Sequence, residues 1–148
     1  SLESVVELRC NLDDMTPEAV GFALDRLWEG PVLDVFTSPI GMKKNRPGTL
    51  LTCLCRRENA EQVVKLLFRH TSTLGIRESE HERYTLQRTV QTVSTDLGAA
   101  RVKKASGFGV TKEKVEFEDA SRAALAHDIP LSEAAEAILR AVRAERSE

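Results

Sequence analysis

Apolar and polar residues alternate between residues 5 and 12. Val6, Leu8, Cys10 and Leu12 fall on one side, and Glu7, Arg9 and Asn11 on the other. A period of two predicts a half-buried strand. The period then changes. Thr16 is placed to cap a helix and Pro17 to occupy its first turn, and Val20, Ala23, Leu24, Leu27 and Trp28 follow at helical spacing until Gly30-Pro31. Residues 32–38 read as a second strand. Residues 49–56 read as a third, whose nearly unbroken apolar run predicts a central place in a sheet. A helix over about 59–70 buries Val63, Leu66 and Leu67, and residues 75–85 form a fourth strand with Ile76 and Tyr84 in a polar background.

The order β-α-β-β-α-β predicts a ferredoxin-like core over residues 1–87, and an α+β fold class. Residues 88–148 continue as an extension of the same domain. A hairpin spans 88–95 and 99–105 across Asp96-Leu97-Gly98, and a turn at Gly107-Phe108-Gly109 leads to a strand at 110–117. Two helices close the chain. One runs from Glu118 to His127. The other, capped by Ser132, carries Ala135, Ile138, Leu139 and Val142 on one stripe, and a frayed tail follows from Arg143.

Composition narrows the function. The 148 residues carry a net charge of −2 with 30% charged residues, which excludes a general nucleic-acid or membrane-surface binder. An RNA-binding sheet of this type needs exposed aromatics on its central strands, where only Phe36 is on offer. No apolar run approaches the roughly 20 residues of a membrane span, and no signal peptide is visible. Three cysteines, Cys10, Cys53 and Cys55, make no disulfide framework and fit a reducing cytoplasm. The chain opens on Ser1-Leu2 rather than methionine, as a piece of a longer protein would.

Four segments carry candidate chemistry, each with a plainer alternative. Lys43, Lys44 and Arg46 lie in a short loop fenced by Pro39, Gly41, Pro47 and Gly48. Such fences predict irregular, restricted backbone. The loop reads as a seat for phosphate, with Arg46 as a fork and the lysines as point charges, or as a solvated connector. Asp13 and Asp14 follow a strand and precede a helix. They read as oxygen ligands for a divalent ion, or as acids favoured by the helix dipole. Thr71-Ser72-Thr73 with Arg77 reads as an anion cradle or as turn residues. Cys53 and Cys55 share one strand face with Cys10 nearby, which suits a soft metal or, more simply, a core. His70, His81 and His127 show no ligand spacing. Strand two is expected to run antiparallel to strand one. That puts the basic loop and the acidic run at opposite ends of the sheet, so a site using both would span two subunits.

Several motifs in order resemble one family: Asn-Leu-Asp-Asp-Met-Thr-Pro-Glu at 11–18, Leu-Asp-Val-Phe at 33–36 and Pro-Ile-Gly-Met-Lys-Lys-Asn-Arg-Pro-Gly at 39–48. Leu-Phe-Arg-His-Thr-Ser-Thr-Leu-Gly-Ile-Arg at 67–77, Glu-Arg-Tyr-Thr-Leu-Gln-Arg at 82–88 and Val-Glu-Phe-Glu-Asp at 115–119 continue the series. They are similar to the C-terminal part of the nickel-insertion protein of lactate racemase maturation, the pyridinium-3,5-bisthiocarboxylic acid mononucleotide nickel chelatases. The resemblance implies a CTP-dependent metal-inserting lyase. It places Ni²⁺ in a pyridinium mononucleotide, with Mg²⁺ or Mn²⁺ on the CTP, to make the nickel pincer cofactor of lactate racemase. It implies Lys43, Lys44, Arg46, Thr71, Thr73 and Arg77 as nucleotide contacts, Lys44 and Arg46 also as catalytic groups, and Asp13 and Asp14 as metal ligands. Trimers or hexamers, and an N-terminal domain without which the fragment is not fully active, are implied with them. The rival readings are a non-catalytic nucleotide- or anion-sensing oligomeric module and a pure assembly domain.

Overall fold

The computed structural model describes residues 1–147. It divides into two compact units, Leu2–Tyr84 and Thr85 onward, the latter joined by Ser1. The fold is α+β, with antiparallel sheets and four helices.

The first unit contains β1 (Leu2–Leu12), α1 (Pro17–Trp28), β2 (Asp34–Met42), β3 (Arg46–Cys55), α2 (Ala60–His70) and β4 (Arg77–Tyr84). The sheet order is β2-β3-β1-β4, the ferredoxin-like arrangement, with every neighbouring pair antiparallel. The apolar run of β3 does sit centrally, between β1 and β2. Thr16 caps α1 as its position predicts, its hydroxyl accepting the Ala19 N–H at 3.2 Å; such a cap contributes about 1 kcal/mol. Val20, Ala23 and Leu27 of α1 and Ala60, Val63 and Leu67 of α2 pack on Val6, Leu8, Cys10, Leu12, Leu51, Cys53 and Cys55. All three cysteines are therefore core residues.

One expectation about the sheet is overturned. β1 and β2 are both antiparallel to the strand between them, β3, and so run parallel to each other. The crossover through α1 returns the chain to the end where β1 began, and β2 finishes where β1 finishes. The 39–48 segment also differs from the irregular loop expected. β2 continues to Met42, β3 starts at Arg46, and the two close around a three-residue turn, Lys43–Asn45. The prolines are tolerated because Pro39 lies on an edge strand and Pro47 lies beyond Thr49, the last β3 residue paired with β1.

The second unit is a meander, β5 (Gln87–Thr95), β6 (Gly98–Gly107) and β7 (Val110–Val115), followed by α3 (Phe117–His127) and α4 (Leu131–Arg146). Its core joins Val93, Val102 and Val115 of the sheet to Ala120, Ala123, Ile138 and Val142 of the helices. Ser132 does not cap α4. The helix starts at Leu131, behind Pro130, and no side chain caps it. The tail expected to fray is helical through Arg146; Glu148 lies outside the described residues.

Candidate functional site

Because β1 and β2 are parallel, the acidic run after β1, the turn after β2, the start of β3 and the start of β4 share one end of the first sheet. The segments that read as separate features therefore meet within one chain. Arg46 Nη1 lies 3.8 Å from Asp13 Oδ2. The Ser72 hydroxyl donates to Asp14 Oδ1, and the Ser72 N–H reaches Met15 Sδ at 3.4 Å. Arg77 Nη2 donates to Asn11 Oδ1 at 2.9 Å. A site using both acids and cations needs no second subunit, which corrects the expectation built on an antiparallel β2.

Local backbone chemistry holds the parts in place. The register pairs Met42 with Arg46 and Thr49 with both Pro39 and Leu12. Gly48 sits where chains approach closely: a β-carbon there would lie 3.0 Å from the Leu12 carbonyl oxygen and closer still to the Met42 side chain. At the turn, Lys44 (φ 59°, ψ 26°) and Asn45 (φ 58°) are both left-handed without being glycine. Asparagine tolerates this conformation, whereas for lysine it costs about 1 kcal/mol or more. Lys43, Lys44 and Arg46 are all exposed, and among the described residues neither lysine forms an ion pair. The Arg46–Asp13 pair is long and half-exposed, so it contributes little to stability.

The threonines are more committed. The Thr71 hydroxyl donates to the Leu67 carbonyl at 2.7 Å and accepts the Thr73 N–H at 3.3 Å. The Thr73 hydroxyl donates to the Gly75 carbonyl at 2.8 Å. Both hydroxyl protons thus shape the 71–75 turn that presents Ser72 and Arg77. Ser72 belongs to the hydroxyl cradle that the sequence singled out and Asn11 does not, and sequence reasoning named no partner for either. Their partners lie 58 and 66 positions away, beyond any local signal.

The edge gathers four cations, Lys43, Lys44, Arg46 and Arg77, against two carboxylates, Asp13 and Asp14. Such an edge can hold a polyanion. Two adjacent carboxylates suit a hard divalent ion that keeps waters and takes phosphate oxygens for its remaining positions, the usual habit of Mg²⁺. Among the described residues no group of three His, Cys, Asp or Glu stands close enough to hold a metal on its own. The cysteines behave as core thiols. Burial pushes Cys53 up to about 12, with the Cys10 and Cys55 thiols adding to the rise. Burial also raises Cys10 and Cys55, against Thr73 and Arg77 in the first case and Arg57 in the second. A thiolate, the metal-binding form, is costly there.

The second unit holds a tight charge cluster around Asp119. Asp119, 4% exposed, accepts the Arg101 N–H at 2.7 Å, Arg101 Nε at 2.9 Å and Arg122 Nη2 at 3.0 Å. Arg101, by its side chain and then its backbone, holds the Asp119 carboxyl well below the usual range, at about 2.

Comparison with known proteins supplies the remaining context. The family model described as nickel insertion protein matches residues 1–135. A pyridinium-3,5-bisthiocarboxylic acid mononucleotide nickel insertion protein of Acetivibrio thermocellus is 42% identical over 140 residues, covering 95% of this chain and 34% of the relative. Its namesake in Geobacillus kaustophilus is 43% identical over 148 residues, 97% of this chain and 36% of the relative. The chain thus spans about a third of the length of the curated relatives it matches. Among solved structures it is similar to LarC2, the C-terminal domain of a cyclometallase involved in synthesis of the NPN cofactor of lactate racemase, in its apo form. The TM-score is 0.88 at 34% identity, over 97% of this chain and 99% of that one. A protein of Methanopyrus kandleri shares the fold at TM-score 0.70 and 25% identity, over 91% of this chain and 86% of that one.

Proposed function

The chain belongs to the nickel insertion protein family, and from that premise we propose that its first unit is the CTP-binding part of an enzyme that inserts nickel into a pyridinium bis-thiocarboxylate mononucleotide. The observation that carries the reading is the meeting of Asp13 and Arg46, 3.8 Å apart, at an edge that also holds Lys43, Lys44 and Arg77. In this reading the triphosphate oxygens lie on Lys43, Lys44 and Arg46. An incoming phosphate competes with Asp13 for the Arg46 guanidinium, and the loose pair yields easily. Asp13 is then free to join Asp14 as an oxygen ligand for Mg²⁺ or Mn²⁺. That ion, when bound, supplies positive charge against the phosphates. Lys44 and Arg46 act as catalytic groups by stabilising charge that develops on the phosphoryl oxygens as the anhydride bond breaks. Arg77 adds a fork at the β4 side of the edge. Thr71 and Thr73 contribute through the turn they shape. Nickel is the cargo and the pyridinium mononucleotide the substrate of the whole protein, whose N-terminal domain is the chain's covalent partner. Homo-oligomers, trimeric or hexameric, and a cytoplasmic setting complete the proposal.

The test is a titration of this chain with CTP and Mn²⁺, repeated on Lys44→Ala and Arg46→Ala. Each substitution is expected to weaken binding tenfold or more without changing thermal stability. Unchanged affinity in both removes the basic turn from the site. Binding in the full-length protein without release of phosphate or insertion of nickel would favour the sensing module instead.

A further inference from the structure

Beside the charged edge, still within the first unit, α1 and strand residues Thr37 of β2 and Thr49 of β3 leave a groove of about 300 Å³. Met15, Val20 and Leu24 give it an apolar wall. Thr37 and Thr49 bring two hydroxyls from the sheet. They share the helix-facing side with buried Leu51, since Thr37 pairs with Leu51 and Thr49 stands two residues away. The groove begins where the edge ends. Met15 follows Asp14 and receives the Ser72 N–H, and Thr49 is three residues beyond Arg46. Gly21 lines the groove from the middle of α1, and a β-carbon built there meets nothing within 4 Å. No close packing therefore calls for glycine, and in a helix interior it costs about 0.5–1 kcal/mol relative to alanine. Its effect is to leave the groove open.

We infer that this groove seats the aromatic ring of a phosphorylated riboside whose phosphate lies on the Arg46 edge. The inference rests on the anion reading of that edge. A flat ring suits an apolar wall that includes a thioether, which packs favourably against aromatic faces. Each threonine hydroxyl both donates and accepts, and can meet nitrogen or oxygen atoms on the ring's rim. The volume is at the lower bound of ordinary ligand pockets, about 300 Å³, which suits one ring rather than a fused pair. Two rings in the proposed function share this chemistry, the base of CTP and the pyridinium of the mononucleotide.

The test fills the groove without touching the cations. Gly21→Leu adds a good helix former where space is open, and Thr37→Phe adds an aromatic to an exposed position on an edge strand. Both are expected to fold with a melting temperature no lower than the parent chain's. Binding of CTP, nicotinate mononucleotide and inorganic triphosphate is then measured with Mn²⁺. At least tenfold weaker CTP binding, with triphosphate unchanged within twofold, assigns the groove to the cytosine. The same loss for nicotinate mononucleotide alone assigns it to the pyridinium. Folded variants that bind both ring-bearing ligands like the parent chain overturn the inference. A parent chain that ignores triphosphate, yet loses CTP on Gly21→Leu, would retire the anion edge and keep the groove.

Discussion

Two aspartates paired with arginine, one in each unit, do opposite things. Asp119 is buried, takes a backbone N–H and two guanidinium groups, and titrates at about 2. Its hydrogen-bonding capacity is used up in joining β6 to the first turn of α3. Asp13 is partly exposed, and its ion pair is a single contact at 3.8 Å with an arginine that is itself half in solvent. Nearby, Lys43 and Lys44 stand at a turn with left-handed backbone and, among the described residues, form no ion pair. The first arrangement is saturated and serves the fold. The second leaves charge available to a visitor. Saturation, rather than the number of charges, separates a staple from a site.

That contrast can be broken by substitution. The largest effect is expected from Asp119→Ala, which strips partners from the Arg101 backbone N–H and both guanidiniums. A loss of about 2–3 kcal/mol follows from charge-assisted bonds of this kind, read by urea unfolding, with triphosphate binding untouched. Arg46→Ala should show the reverse, a tenfold loss of triphosphate and less than about 0.5 kcal/mol of stability, because a half-exposed pair contributes little. If Arg46→Ala instead costs as much stability as Asp119→Ala, the distinction fails. Acid sharpens the same point. Asp119 titrates lower when folded than when unfolded, so its contribution is complete above the ordinary carboxylate value near about 4. It disappears as pH falls through about 2. Asp119→Asn should flatten stability against pH across that window. The smallest effect is expected for Ser72→Ala, about 0.5 kcal/mol or less for one exposed hydrogen bond, seen as a small shift in melting temperature.

Much of the fold was legible because local signals agreed. The alternation at Val6, Leu8, Cys10 and Leu12, the Thr16-Pro17 start and the apolar run of β3 each specify an element and its buried side. Strand direction was not legible. A period of two says which residues face inward, and nothing about which way the strand runs. Direction comes from the crossover, through which α1 carries the chain over the position β3 later fills. An antiparallel β2 would put the basic turn at the other end of the sheet and keep apart residues that meet within one chain. The cations and acids themselves were visible as residue types. The contacts of Ser72 with Asp14 and of Arg77 with Asn11 were not, since they depend on α2 returning to the same end. Gly21 did leave a trace: an isolated glycine within an apolar-periodic helix lowers helix stability and asks for a reason.

Gly48 makes the distance between the two halves of the edge a matter of a single methyl group. With hydrogen in place of a side chain, β3 lies against the Leu12 carbonyl, and the Met42 side chain folds over the same spot. Alanine would act as a wedge. Met42 could swing aside, but the Leu12 backbone would have to yield, carrying the Asp13-Asp14 run away from Arg46. The residue works as a gauge block: it sets how closely the Asp13-Asp14 run and Arg46 stand.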